Sequence, residues 1–131
     1  MSSESPPYDP LYLKGIEFFN ECDFFEAHET WEELWMEYRG DARKFYQGMI
    51  QVAVALHHFG NGNTRGARKV YSTSRGYLQE YTGVYHGLDI DAFLTQYEKC
   101  FEEVLECQDE IPRVEIDPEL IPEVHLVDDT A

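Results

Sequence analysis

The stretch that most constrains this chain runs Lys44-Phe-Tyr-Gln-Gly-Met-Ile-Gln-Val-Ala-Val-Ala-Leu-His-His-Phe59. It holds no acidic residue, although Asp and Glu occupy 26 of the 131 positions. Its apolar side chains fall almost all the way round a helical wheel, the pattern of a helix enclosed by protein. Only a few polar side chains interrupt them, and Gln47, Gln51 and His58 form one narrow row. Everything else in the chain must supply what encloses this helix. The fold expected is therefore all-α, a compact bundle of about five helices.

The other helices follow from their punctuation. Residues 1–8 are rich in Ser and Pro and are read as a flexible N-terminus. Asp9-Pro10 then supplies an N-cap and a proline at the first helical position, for a helix to about residue 20. Asp23 and Glu26 have the spacing of a capping box and open a second helix, 24 to about 39, with Gly40 as a left-handed cap. Asp41 is expected to cap the third helix. Gly60-Asn-Gly-Asn63 marks a turn, after which Thr64 caps a fourth helix to about residue 81. A fifth runs from about 91 to 107. Pro112, Pro118 and Pro122 forbid a continuous helix beyond it. The organisation expected is a bundle domain over 9–107 and an acidic extended arm over 108–131. That arm should lie along the bundle or along a second subunit, and no strand pattern appears outside it.

Charge limits the partners. The formal net charge is -16 and lysine occurs only four times. Such self-repulsion is tolerable where salt is concentrated, because the Debye length falls to about 3 Å at 1 M, so a salt-loving source is expected. Between residues 39 and 79 the sign reverses, with seven basic residues against Asp41 alone. Arg65, Arg68 and Lys69 on the outer face of the fourth helix, behind the glycine-rich turn, are anion-binding candidates. No Gly-Lys-Ser/Thr of a P-loop is present. Nucleic acid is disfavoured, since four phosphate contacts give a salt slope near -3.6 and lose about 10³ to 10⁴ in affinity over a tenfold rise in salt. A solvated or acid-paired face, with the acidic arm as one candidate partner, is favoured instead.

Cys22, Cys100 and Cys107 form no C-x-x-C and leave an odd thiol, which points to the reducing cytoplasm. No apolar segment follows a basic one at the N-terminus, so no signal peptide is expected. The longest aliphatic run, residues 52–56, is too short to cross a bilayer, so no membrane partner is expected.

The chemistry-bearing residues lie on the second and third helices. Glu26-Ala-His28-Glu29-Thr-Trp-Glu32 has the beginning of a zinc-protease H-E-x-x-H, with Glu32 at the second histidine's position. A His and a Glu at i, i+4 can still hold a divalent metal from one helix face. The Glu-x-x-His of di-iron bundles is absent. The competing reading makes His28 a helix-interface histidine bonded to a neighbour. His57 falls beside Tyr46, Ile50 and Ala53 and reads as packing. His58 ends the polar row, and a helix-end histidine without a ligand is its plainer reading. The short connection at Gly40-Asp41 makes the two helices antiparallel neighbours. His28, Glu29 and Glu32 then face Gln47, Gln51 and His58, a set sufficient for acid–base work or for one metal ion held by His28, Glu32 and His58. Tyr46, Trp31 and Trp35 join the two glutamines as candidate ligand-binding residues. A purely structural hydrogen-bond network is the alternative.

Phe24-Phe-Glu-Ala-His-Glu-x-Trp-Glu-x-x-Trp35, Arg43-x-Phe-Tyr-Gln-Gly-x-Ile-Gln-x-Ala-x-Ala-x-His-His58 and Gly60-Asn-x-x-x-x-Gly-Ala67 together resemble the domain-of-unknown-function family numbered 309. These are small all-helical proteins of bacteria, archaea and plastids. The resemblance covers roughly residues 11–78 and implies a helical bundle in the cytoplasm, with no activity, substrate or cofactor attached. Glu26, His28, Glu29, Trp31, Trp35, Phe45, Tyr46, Gln47, Gln51 and His58 are its signature positions here. Three functions are compatible with this reading. The first is a binding module for a small ligand or protein partner at the His/Glu/Gln cluster. The second is a hydrolase-like enzyme with Glu29 or Glu32 as base and His28 or His58 as acid or metal ligand. The third is a structural homo-oligomer.

Overall fold

The computed structural model describes residues 8–127. The flexible terminus expected over 1–8 lies outside them except for Tyr8, whose ring stands 5.8 Å from that of Tyr12. Asp9 caps α1 (Pro10–Asn20), its carboxylate accepting from the Leu11 N–H at 2.8 Å. α2 (Phe24–Glu37), α3 (Arg43–Gly60) and α4 (Thr64–Leu78) follow as successive neighbours, and α5 (Ile90–Glu106) closes the bundle.

Several helix ends differ from the expected ones. Asp23 stands at the N-cap of α2 but its side chain makes no capping bond. Ala42, not Asp41, precedes α3. Asn63, not Thr64, caps α4, its Oδ1 accepting from the Gly66 N–H at 3.0 Å. The reason at α4 is competition: the Thr64 hydroxyl donates instead to the Pro112 carbonyl. α2 also ends early, because Tyr38 turns extended with ψ 135°. Gly40 is not left-handed. Its lack of a side chain matters for another reason, since a Cβ there would run into the Tyr38 ring.

The enclosure of α3 is nearly complete. Phe45, Met49, Val52, Ala53, Ala55 and Leu56 have no exposure at all. A fully buried Phe, Leu or Val side chain stabilises by about 1.5–3 kcal/mol before entropy is counted. On one side α2 sends Trp31 into the core, where its indole occupies the space beside Gly15 and donates to the Tyr12 carbonyl at 3.1 Å. On the other, Gly48 lets α4 approach, since a Cβ would meet Leu78 at 2.9 Å. α5 packs through aromatics, with Phe59 5.0 Å and Tyr71 4.7 Å from Phe101. The buried Tyr97 hydroxyl pairs with Ser74 at 2.8 Å.

One element is unexpected. β1 (Val84–Tyr85) and β2 (Leu88–Asp89) form an antiparallel hairpin outside the arm. Its two-residue turn, His86-Gly87, has positive φ at both positions, 50° and 78°, as a twisted hairpin requires. The Tyr12 hydroxyl donates to the His86 carbonyl at 3.0 Å and ties the turn to α1.

The arm lies on its own bundle. Arg68 of α4 donates to the carbonyls of Cys107, Asp109 and Glu110 at 3.2, 3.1 and 2.9 Å. After a short 3-10 turn (Pro118–Leu120), Val124 is buried. The Asn20 amide meets both of its backbone groups, donating to the carbonyl at 2.9 Å and accepting from the N–H at 2.8 Å. The Val127 N–H then reaches the Gly87 carbonyl at 2.7 Å. Among the described residues no helix is long and apolar enough to cross a membrane.

Candidate functional site

Antiparallel α2 and α3 bring the first turn of one against the last turns of the other. Phe24, Phe25 and His28 meet Val54, His57 and His58 around a cleft of about 210 Å³. Phe25 is half exposed, and its ring lies 5.5 Å from His28 and 5.6 Å from His57. The wall is therefore apolar and aromatic, with imidazoles set into it.

Each imidazole has one nitrogen engaged. His28 Nδ1 lies 3.2 Å from the Phe25 carbonyl oxygen. A carbonyl only accepts, so the proton sits on Nδ1, and in the neutral ring Nε2 is a bare acceptor. That Nε2 is 4.0 Å from Glu32 Oε2. His28, Glu29 and Glu32 each present a ligand atom within 4.8 Å of the others, with the Glu32 side chain 47% exposed. His57 Nε2 lies 3.1 Å from the Asn61 side-chain nitrogen, and His58 Nδ1 lies 3.3 Å from that of Asn63.

The polar row of α3 divides. His58 reaches the cleft, whereas Gln51 lines a second groove of about 300 Å³ with Lys69, Val70 and Thr73 of α4. Val54 borders both. Gln51 Oε1 is buried without a hydrogen-bond partner among the described residues, and so is Trp35 Nε1. Gln47 is half-buried on the same row. The Arg43 guanidinium lies 3.8 Å above the Trp35 ring and donates to the Trp35 carbonyl at 3.2 Å.

Two expected ligand residues are core. Trp31 is wholly enclosed. Tyr46 packs among Tyr12, Tyr38 and His86, and burial pushes its phenol up to about 12. On α4 the basic face is occupied, since Arg68 is spent on three carbonyls and Arg65 pairs with Glu110 at 3.5 Å. Lys69 is exposed on the rim of the second groove.

Sequence reasoning passed over Phe25, Val54, Asn61 and Asn63. The two asparagines were legible only as a turn. Their spacing of four and five residues after His57 and His58 is what places their amides on the imidazoles.

The comparisons with known proteins fall on this region. The model of the domain of unknown function (DUF309) matches residues 12–70. The uncharacterized protein YpuF of Bacillus subtilis (strain 168) is 37% identical over 91 residues, 64% of this chain and 52% of that protein. An uncharacterized protein of Aquifex aeolicus (strain VF5) is 40% identical over 60 residues, 44% of this chain and 18% of that protein. The chain thus spans about half the length of the first relative and under a fifth of the second. Residues 12–70, which supply every side chain lining the cleft, match the DUF309 family model.

Proposed function

We propose that this protein is a binding module of a salt-rich cytoplasm, and that its site is the cleft between α2 and α3. The observation that supports this reading is the convergence of three imidazoles and the exposed Phe25 ring on one concave space of about 210 Å³. That volume lies below the roughly 300–1,000 Å³ of sites for drug-sized molecules, so the ligand is small. Toluene is a suitable first probe. Its titration should move the ring signals of His28, His57 and His58 together in NMR spectra, while signals from α5 stay still. Histidine rings indifferent to toluene up to its solubility would count against the cleft.

A second reading has its own support. His28, Glu29 and Glu32 form a one-nitrogen, two-carboxylate set with ligand atoms within 4.8 Å. The Nδ1–H bond from His28 to the Phe25 carbonyl is the orienting contact that metal-ligating histidines usually make. A divalent cation such as Zn²⁺ or Mn²⁺ suits such donors. If His28 and Glu32 hold the metal, Glu29 is the adjacent carboxylate available as a base for hydrolytic chemistry. Thermal shift with both ions on the natural protein and on Glu32→Ala tests it. Stabilisation of the natural protein alone supports a metal site, and indifference of both removes it.

A further inference from the structure

Two of the cleft's imidazoles, those of His28 and His58, carry opposite polarity, and the geometry points to a small neutral ligand that presents a carbonyl beside an N–H on an apolar body, a carboxamide or lactam. This inference rests on the cleft being the binding site.

The chain of reasoning begins at a backbone group. The Gly66 N–H can only donate, so the Asn63 side-chain atom 3.0 Å from it is the oxygen. The other end of that amide is therefore the NH₂, and it lies 3.3 Å from His58 Nδ1. An NH₂ only donates, so His58 Nδ1 accepts and the ring's proton sits on Nε2. The cap of α4 thereby sets the tautomer of a histidine on α3.

His28 is set the other way. Its Nδ1–H faces the Phe25 carbonyl and leaves Nε2 as an acceptor. Both rings line the same cleft, together with Phe24, Phe25 and Val54. One polar tip thus offers a proton and the other receives one. A ligand carbonyl accepts from His58 Nε2–H, its N–H donates to His28 Nε2, and its apolar part lies on Phe25 and Val54. An anion satisfies only the first contact and sets its charge near Glu29 and Glu32. The same tautomer counts against His58 as a metal ligand. Its Nε2 holds a proton, and moving that proton to Nδ1 would set two donors against each other at Asn63.

Two measurements test this on the full chain. Ring ¹H–¹⁵N correlation spectra above neutral pH report tautomers directly, and His58 should show Nε2–H with His28 showing Nδ1–H. Benzamide should then bind about tenfold more tightly than toluene, the net worth of one or two hydrogen bonds. Asn63→Asp retains a good N-cap and offers His58 Nδ1 a carboxylate acceptor in place of a donor. It should flip His58 to Nδ1–H and abolish the benzamide preference, with toluene affinity unchanged. An Nδ1–H tautomer for His58 in the natural protein would overturn the inference. So would benzamide binding no better than toluene in a protein that takes toluene, which leaves the cleft itself standing. Failure of toluene to enter contradicts the cleft, and the inference falls with it.

Discussion

The indole of Trp31 fills the space that a side chain at Gly15 would need, and its Nε1 donates to the Tyr12 carbonyl at 3.1 Å. This pair sets how closely α1 and α2 approach. It therefore helps fix where the first turn of α2, with Phe25 and His28, stands over α3. Gly15→Ala forces the indole or the helix aside. Overpacking of this kind costs about 1–3 kcal/mol. Chemical denaturation at constant salt should show a loss of that size, and no loss would mean that the α1–α2 contact is looser than described.

The arm hangs on Asn20, whose amide satisfies both backbone groups of the buried Val124. Asn20→Ala leaves both without their partner, at about 1–3 kcal/mol. Amide hydrogen exchange should accelerate at Val124 and Val127, while the α3 amides keep their protection. Equal acceleration throughout would show instead that arm and bundle unfold as one unit.

Stability should fall at both ends of the pH range. Burial lowers His86 from its ordinary 6.5, so the unfolded chain takes up a proton first as pH drops below that value, and stability is lost. Burial raises Tyr46 from 10.0 to about 12, and Tyr12 and Tyr97 are raised too. Between pH 10 and about 12 the unfolded chain releases the Tyr46 proton while the folded one keeps it, so stability falls as pH rises. Melting temperature against pH should be flat between about 6.5 and 9, where the buried Cys100 thiol, raised from 9.0, begins to add to the alkaline fall. Tyr46→Phe should weaken the alkaline fall, and an unchanged fall would contradict the assignment to Tyr46.

With a net charge of -16, self-repulsion should be relieved by salt. The melting temperature should rise steeply from dilute buffer to molar potassium chloride. A protein equally stable in dilute buffer would remove the salt-rich setting proposed for it.

The α3 helix was legible because nothing but enclosure explains an acid-free, all-round apolar segment in so acidic a chain. The antiparallel meeting of α2 and α3 followed from the short connection between them. The division of the α3 polar row was not legible. Gln51 and His58 occupy one row on a wheel, but α4 covers the middle of α3, and Gln51 falls to its groove. Thr64 was misread because its acceptor, the Pro112 carbonyl, lies 48 residues on. The hairpin escaped notice because two-residue strands carry no alternation, and His-Gly is a weaker turn signal than Asn-Gly. The orientation of the imidazoles depends on amides in a turn, and no periodicity encodes that.

The most direct test of the cleft is a paired toluene titration of the natural protein and Val54→Trp, followed through the histidine ring signals. Val54 borders the cleft from α3 and is only partly buried, so an indole there fills the space from its open side. The account predicts that toluene shifts His28, His57 and His58 together in the natural protein and leaves them unmoved in the folded variant. Equal shifts in both proteins, or none in the natural one, would contradict it.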